Sequence, residues 1–116
     1  MTDTSETSTE QNWRPNDSAT VESTGGSPLA GSVVFTLYNN GTCDGTVLYT
    51  ETRPVSGASP QIVSTTNDGT TLGDPLVSAS ATVSWRAVFT STNSVEGSTA
   101  PCESTVLTID NDITNP

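Results

Sequence analysis

Lysine and histidine are absent from the 116 residues of this chain, and aromatic residues make up 5% of them. Without histidine, the chain lacks the commonest general base and the commonest metal ligand of proteins. Without lysine, it cannot form a Schiff base or a lysine–asparagine isopeptide bond. A serine nucleophile would therefore lack the bases that usually activate it. Glycoside hydrolysis by paired carboxylates needs a substrate cleft with aromatic platforms, which so few aromatic residues do not supply. We predict that the protein is not an enzyme and has no catalytic residues.

Long apolar runs and positive charge are also scarce. No run approaches the roughly 18 apolar residues of a membrane-spanning helix, and no signal peptide is visible at the N-terminus. Three arginines stand against thirteen aspartates and glutamates, which gives a formal net charge of −10. This charge repels phosphate backbones and anionic lipid headgroups. We therefore expect no nucleic-acid partner and no membrane insertion.

The two cysteines, Cys43 and Cys102, form either one disulfide or two free thiols. Both lie in polar turn sequences, whereas buried structural thiols usually lie in apolar strands. These surroundings favour the disulfide and, with it, an oxidising setting outside the cytoplasm. The spacing of the two cysteines and the lack of histidine exclude a zinc-finger ligand set. Closure of a loop of about 60 residues would stabilise the fold by about 4 kcal/mol on the chain-entropy model.

The composition changes along the chain. Residues 1–15 are rich in Thr, Ser and acidic side chains, which predicts a flexible N-terminal tail. Trp13 is the exception within this tail, and it either packs on the edge of the domain or makes an exposed partner contact. Residues 16–112 carry alternating apolar and polar side chains and are predicted to form one domain. Residues 113–116 are predicted to be a linker or tail.

Period-two alternation of apolar and polar side chains predicts about seven strands, over residues 18–24, 31–39, 46–52, 61–66, 76–79, 81–91 and 104–110. We expect Arg53 and Pro54 to end the third strand, because proline removes a ladder hydrogen bond. No segment shows the apolar spacing of a helix. The predicted fold is therefore all-β, an immunoglobulin-like antiparallel β-sandwich. The side chains expected to form its core are Val33, Phe35, Leu37, Val83, Trp85, Ala87, Phe89, Leu107 and Ile109.

Five short motifs follow one another between Asn16 and Asp110. They are formed by Asp17, Ala19 and Val21; by Gly31, Val33, Phe35, Leu37 and Tyr38; by Thr42, Cys43 and Gly45; by Trp85, Ala87 and Phe89; and by Cys102 before the last strand. In this order and spacing, the segment resembles an Ig-like repeat found in secreted and surface-anchored proteins of actinobacteria and related bacteria. The resemblance implies a paired Cys43 and Cys102 and a structural or adhesive role.

Three functions fit these observations. The first is a non-enzymatic module of an extracellular bacterial surface protein, a spacer or binding unit beside neighbouring domains. The second is a phage virion accessory protein that decorates a capsid or tail, adheres weakly to surface glycans and docks on the particle through Trp13 and the tail. The third is a carbohydrate-binding module, for which Tyr38 or Tyr49 would supply the aromatic platform. The expected location is the cell surface, with the virion as the alternative.

Calcium is the one cofactor that the residues suggest. Asp110 and Asp112 flank Asn111 directly after the last predicted strand, and carboxylate, amide and carbonyl oxygens are the ligands that Ca²⁺ prefers. Asp68 and Asp74 are further candidates in a separate loop. Two interpretations stay open. Asp110 and Asp112 bind Ca²⁺ at a junction with a neighbouring domain, or they simply form an acidic, turn-forming end to the strand.

Overall fold

The computed structural model describes residues 4, 5, 7, 11–70 and 74–109. These residues form seven β-strands and no helix, and every strand pairing is antiparallel, so the all-β prediction is confirmed. Within these ranges, no helix is present that would reach across a bilayer. The strands are β1 (Ser18–Val21), β2 (Leu29–Tyr38), β3 (Val47–Gly57), β4 (Gln61–Ser64), β5 (Ala81–Ser91), β6 (Ser98–Thr99) and β7 (Glu103–Leu107).

The strands form two sheets of unequal size. β1 pairs with β4 in the smaller sheet, and the larger sheet has the order β3-β2-β5, with β6 and β7 both paired to β5. β6 lies opposite Val88 and Phe89, and β7 lies opposite residues 81–85 of the same strand. Because β2 occupies the other edge of β5, β6 and β7 follow one another along one edge. Pro101 lies in the break between them and has no N–H for the ladder. They are therefore one interrupted strand.

If β6 and β7 are counted as one strand, the sandwich has six strand positions. The chain reverses direction between each strand position and the next. Three connections consequently meet at one end, namely residues 22–28, 58–60 and 92–97, and we call this end the tip. Hydrogen bonds join them there. The N–H of Ser23 donates to Oγ of Ser59 (2.9 Å), and Nδ2 of Asn93 donates to the carbonyl of Pro28 (3.0 Å). β1 begins and β7 ends at the opposite end, which we call the base.

The core lies between the sheets and is centred on Trp85. Phe35 and Tyr49 both meet the Trp85 ring edge to face, with centroids 6.4 and 6.2 Å away. Alternation along β2 and β5 turns every second side chain toward the smaller sheet, where burial of apolar area stabilises the fold. The buried apolar cluster contains Val21, Leu29, Val33, Phe35, Leu37, Val55, Val83, Trp85, Ala87 and Phe89.

Two residues predicted for the core lie outside this cluster. Leu107 and Ile109 are half-buried. They follow or end β7, which occupies an edge of the larger sheet. The smaller sheet has two strands and does not extend far enough to cover that edge. The core prediction is therefore wrong for Leu107 and Ile109, which have little to pack against at this edge.

Several strand bounds differ from the prediction by a few residues, and three larger differences concern β3, residues 76–79 and β6. β3 runs on through Pro54 to Gly57, because it is an edge strand whose described pairing is with β2 alone, and edge strands tolerate proline. Residues 76–79 form no strand, although Val77 makes an isolated bridge. β6 was not predicted, since two polar residues carry no periodicity.

The N-terminal segment joins the fold earlier than residue 16. Trp13 and Val77 exchange two backbone hydrogen bonds of 2.8 and 2.7 Å, and the half-buried Trp13 ring packs against the core. Pro15 is fully buried. Nδ2 of Asn67 donates to the carbonyls of Pro15 (3.1 Å) and Pro75 (2.8 Å). The packed part of the chain therefore includes Trp13, inside the predicted tail.

Candidate functional site

The predicted disulfide is present. It joins Cys43 in the β2–β3 loop to Cys102 in the break between β6 and β7. The two Cα atoms are 6.0 Å apart, and the two residues are 59 positions apart in the chain. The bond therefore ties a loop at the base to the interrupted edge of the larger sheet. Neither cysteine is free.

The β2–β3 loop, residues 39–46, is held by its own polar side chains. Asn39 and Thr46 close it, since the N–H of Asn39 donates to the carbonyl of Thr46 (3.0 Å) and the N–H of Thr46 donates to Oδ1 of Asn39 (2.9 Å). Inside the loop, Nδ2 of Asn40 and the hydroxyl of Thr42 each donate to Oδ1 of Asp44 at 2.6 Å. The bond from Thr42, followed by that from Asn40, lowers the pKa of Asp44.

Cys43 connects this loop to β5. Its φ angle of 56° lies in the left-handed region, which turns its N–H toward the hydroxyl of Ser84 (3.0 Å). Ser84 points away from the core, yet it is fully buried because the loop covers it. A buried hydroxyl without a partner is costly, so this bond satisfies Ser84 and positions Cys43 for Cys102.

A second polar cluster surrounds Glu51, on the inward face of β3. Its Oε1 accepts hydrogen bonds from the hydroxyl of Tyr49 and the N–H of Thr66, and its Oε2 accepts one from the hydroxyl of Thr66, each at 2.7 Å. Burial raises the pKa of Glu51, but the bonds from Thr66 and Tyr49 and the charge of Arg53 outweigh it, so the pKa lies below its usual value. Burial, and then the bond to Glu51, raises the pKa of the Tyr49 phenol.

This cluster links β3 to the β4–β5 connection and changes the interpretation of Tyr49. The Tyr49 ring lies edge-on to Trp85, and its hydroxyl is engaged by Glu51. Tyr49 therefore offers no flat exposed platform for a sugar. Tyr38, at the end of β2, is half-buried on the outward side of the larger sheet.

The calcium candidates are divided between described and undescribed residues. Asp110 and Asp112 lie outside the described residues. Asp68 and Asp74 share the β4–β5 connection, where Oδ1 of Asp68 accepts bonds from the N–H and hydroxyl of Thr70, and Oδ2 of Asp74 accepts one from Gly69 (3.2 Å). Residues 4, 5, 7, 11–70 and 74–109 hold no group of three or more side chains suited to a metal ion. Calcium binding by Asp110 and Asp112 stays a prediction.

The tip holds a cavity of about 490 Å³ between the β1–β2 and β5–β6 connections, within the range of small-ligand sites. Its two carboxylates come from opposite walls, Glu22 on the first connection and Glu96 on the second. Its wall contains neither an arginine nor an aromatic ring. The lining residues are Glu22, Ser23, Thr24, Gly25, Ser27, Ser94, Val95, Glu96, Gly97 and Ser98.

Three features of these sites were not predicted: the Glu51 cluster, the Cys43–Ser84 bond and the tip cavity. Glu51 carried a usable signal, because it shares its strand face with Tyr49, and a carboxylate on an inward face requires buried partners. Ser84 and the tip carried no such signal. Their roles depend on which loops meet in space.

Fold and sites together define a small all-β protein, an antiparallel sandwich whose broken edge strand is tied by one disulfide to a loop at its base. No family model, no curated protein and no solved structure matches the chain.

Proposed function

We propose that the domain is a non-enzymatic Ig-like adhesion module of an extracellular bacterial surface protein, and that it acts as a binding unit rather than as an in-line spacer. The observation that carries this proposal is that the first and the last described strand begin and end, respectively, at the same end of the sandwich. β1 begins and β7 ends at the base, so the connections at the tip are free to face a partner.

The pairing of the strands supports the Ig-like assignment. In chain order, β1, β2, β3, β4, β5 and the interrupted β6–β7 correspond to strands B, C, C′, E, F and G of the immunoglobulin fold. The larger sheet then has the order C′-C-F-G, and the smaller sheet pairs B with E. Strand A of that fold has no counterpart among the described strands. The described strands therefore occupy an even number of strand positions, and β1 begins and β7 ends at the base.

The disulfide supports a location outside the cytoplasm, since such bonds form and persist in oxidising compartments. The composition explains why the fold needs the stability that a disulfide provides. Apolar residues are 31% of the chain, and a small core of this kind supplies limited stability. A bond that closes a long loop compensates by restricting the unfolded chain.

The position of the ends also separates the two roles that a surface module can have. A spacer in a linear array passes the chain from one end of the domain to the other. Here both the bridge at Trp13 and the end of β7 lie at the base. A neighbouring domain on either side would therefore attach at the base, and the tip would project as the free end.

Immunogold electron microscopy of the producing culture, with an antibody against the folded domain, tests this proposal. Gold along the cell envelope or its fibres is the expected result. Gold on phage particles would replace the proposal with the virion accessory function, and Trp13 would become the docking candidate. Gold confined to the cytoplasm, with both thiols open to alkylation, would overturn the extracellular assignment altogether.

A further inference from the structure

We propose that Asn40 is a site of spontaneous deamidation, and that the closed β2–β3 loop, anchored by the disulfide, keeps this reaction slow. Among the asparagines of the chain, Asn40 is the one that a glycine follows. The reaction takes place between loop residues and water. It therefore goes beyond the proposed adhesive function and does not depend on it.

The reaction is an attack by a backbone nitrogen on the neighbouring side chain. The amide nitrogen of Gly41 bonds to Cγ of Asn40, the Cγ–Nδ2 bond breaks, and Nδ2 leaves as ammonia with the proton that Gly41 gives up. Water then opens the cyclic imide at one of its two carbonyls and leaves aspartate or isoaspartate. A glycine at the next position favours the attack, because it has no Cβ to crowd the approach.

Three contacts hold the Asn40 carboxamide in the folded loop. Its Nδ2 donates to Oδ1 of Asp44 (2.6 Å), and its Oδ1 accepts a bond from the N–H of Thr42 (3.4 Å). Its Cγ and Nδ2 also pack on Gly45, each 2.8 Å from the position that a Cβ atom would take there. Attack by Gly41 turns the planar carboxamide into a tetrahedral centre and expels Nδ2. The reaction therefore requires these contacts to break.

The charge of Asp44 opposes the same reaction. Its Oδ1 also accepts a bond from the hydroxyl of Thr42 (2.6 Å), and this bond, followed by that from Asn40, lowers the pKa of Asp44. The carboxylate is therefore ionised at neutral pH and has no proton to give to a departing Nδ2. Negative charge close to Gly41 also disfavours loss of the proton from its N–H.

The disulfide keeps the loop in this closed arrangement. Cys43 lies between Thr42 and Asp44, and its bonds to Cys102 and Ser84 fix the middle of the loop against the larger sheet. A reaction that proceeds from an open state is slowed by the small fraction of molecules that are open at any time. Reduction removes the covalent anchor and is therefore expected to accelerate the reaction.

Deamidation would also keep the loop open afterwards. The product carries a second carboxylate at the position from which Nδ2 of Asn40 donates to Asp44, and two like charges in contact repel each other. A reduced and deamidated loop is therefore expected to close less readily and to bring Cys43 to Cys102 less often. Asn40 would in this way record that the disulfide has been broken.

The first test compares the oxidised and the reduced protein, incubated side by side in one buffer at mildly alkaline pH. Mass spectrometry of proteolytic peptides follows the conversion of each asparagine. We expect Asn40 to react first in the reduced protein, and to react at least about tenfold more slowly in the oxidised protein. Asn93 is the internal control, because it is exposed and is followed by a serine.

Two variants separate the hydrogen bond of the loop from the disulfide. Asp44→Ala removes the acceptor of the Asn40 bond and is expected to raise the rate at Asn40 in the oxidised protein about two- to tenfold. Asp68→Ala is the matched control, since it removes a carboxylate that accepts two hydrogen bonds in the β4–β5 connection. It is expected to leave the rate at Asn40 unchanged. Circular dichroism shows whether each variant is folded.

A further pair of variants tests the effect of the product. Asn40→Asp reproduces its charge, and is expected to lower Tm of the oxidised protein and to slow re-formation of the disulfide after the reductant is removed. Alkylation of free thiols measures that rate. The exchange variant Asn40→Asp, Asp44→Asn again pairs one amide with one carboxylate and is expected to recover both properties. A purely steric effect of the substitutions would not be reversed by this exchange.

The proposal is overturned if Asn40 reacts equally fast in the oxidised and the reduced protein, or if Asn93 reacts faster than Asn40 after reduction. An unchanged rate at Asn40 in folded Asp44→Ala would show that the loop contacts do not protect it. An exchange variant that re-forms the disulfide no faster than Asn40→Asp would refute the role of charge repulsion. The comparison of oxidised and reduced wild type needs no variant, so it decides the proposal even where Asp44→Ala does not fold.

Discussion

Glu51 is the residue whose surroundings depart furthest from those of an ordinary surface acid. Its side chain is 15% exposed, and its two carboxylate oxygens accept three hydrogen bonds. A buried carboxylate persists when donors replace the water that it has lost. The donors belong to β3 itself and to the connection after β4, so Glu51 joins two parts of the chain that share no ladder.

Glu51→Gln is expected to destabilise the fold by about 1–2 kcal/mol at pH 7, because an amide keeps one acceptor oxygen and loses the charge. The folded-state pKa of Glu51 is lowered, so its contribution is present above the unfolded pKa, about 4.3, and is lost as the pH falls through the folded value. The variant is therefore expected to lose less stability than the wild type between pH 7 and pH 3. Urea unfolding at both pH values measures the difference.

Glu22→Gln is the matched control for this experiment, since it removes the same charge from an exposed position at the tip. We expect it to follow the wild type at both pH values. If the wild type and Glu51→Gln lost equal stability on acidification, the hydrogen-bond account of Glu51 would be wrong.

The disulfide is expected to contribute more to the free energy of unfolding than the hydrogen bonds of Glu51 do. Reduction is expected to cost about 4 kcal/mol and to lower Tm by more than about 10 °C, since 59 positions separate the cysteines and the long loop is freed in the unfolded chain. Melting curves with and without reductant measure this. The double variant Cys43→Ser, Cys102→Ser is expected to melt like the reduced protein and to ignore the reductant. Identical melting curves of the oxidised and the reduced wild type would show that the disulfide does not stabilise the fold.

At the scale of single strands, the alternation of apolar and polar residues predicted β2 and β5 well. These strands lie at the centre of the larger sheet, and the inward face of each one packs in the core along its length. Its failures have physical causes. The pattern predicts that Pro54 ends the strand, because a proline cannot donate to a ladder, yet an edge strand needs no donor on its outer side. β6 depends on its pairing with Val88 and Phe89, which are distant in the chain, and no local pattern shows it.

Gly31 gives a sharp test of the β2–β5 pairing. Its φ angle is 145°, and a Cβ atom placed there would run into the carbonyl oxygen of Thr90 on the facing strand. Gly31→Ala is therefore expected to cost at least about 2 kcal/mol, measured by urea unfolding. Gly25→Ala places the same methyl group in open space at the tip and is expected to change stability by less than about 0.5 kcal/mol. A Gly31→Ala protein as stable as this control would show that the two backbones do not approach as described.

At the scale of the whole molecule, the net charge of −10 is the dominant property. Mutual repulsion among the acidic groups destabilises the compact state, and added salt screens it. Raising the NaCl concentration from about 10 mM to about 0.5 M is therefore expected to raise Tm by a few degrees. Scanning calorimetry measures this change. Choline chloride at equal ionic strength is expected to act equally, because screening does not depend on the identity of the cation. A Tm that fell or stayed constant would contradict this account.

The same experiment tests the calcium prediction. CaCl₂ at matched ionic strength is expected to raise Tm beyond the NaCl value, and the Asp110→Asn, Asp112→Asn variant is expected to lose that excess. Equal Tm values in CaCl₂ and NaCl would contradict Ca²⁺ binding by Asp110 and Asp112 and would favour the interpretation that they form an acidic end to the strand.

The position of the tip cavity, and the fact that β1 begins and β7 ends at the base, could not have been predicted from the sequence. Both depend on residues 76–79 forming no strand and on β6 and β7 sharing one edge of β5, so that the seven observed strands occupy six strand positions. Glu22 and Glu96 are far apart in the chain and meet only because β1 and β5 end at the same side. Local patterns predict which residues face inward, whereas the site arises from connections between distant segments.

The shared position of the start of β1 and the end of β7 also determines how the domain responds to tension. A pull on both ends loads β1 and β7 from the base, so their hydrogen bonds to β4 and β5 open one rung at a time instead of shearing together. Peeling of β7 begins at Leu107 and halts at Cys102, which is covalently held to Cys43. The disulfide keeps the segment between the two cysteines from extending under force. The domain is therefore expected to begin unfolding at its base at low force, and the disulfide then limits how far it can extend.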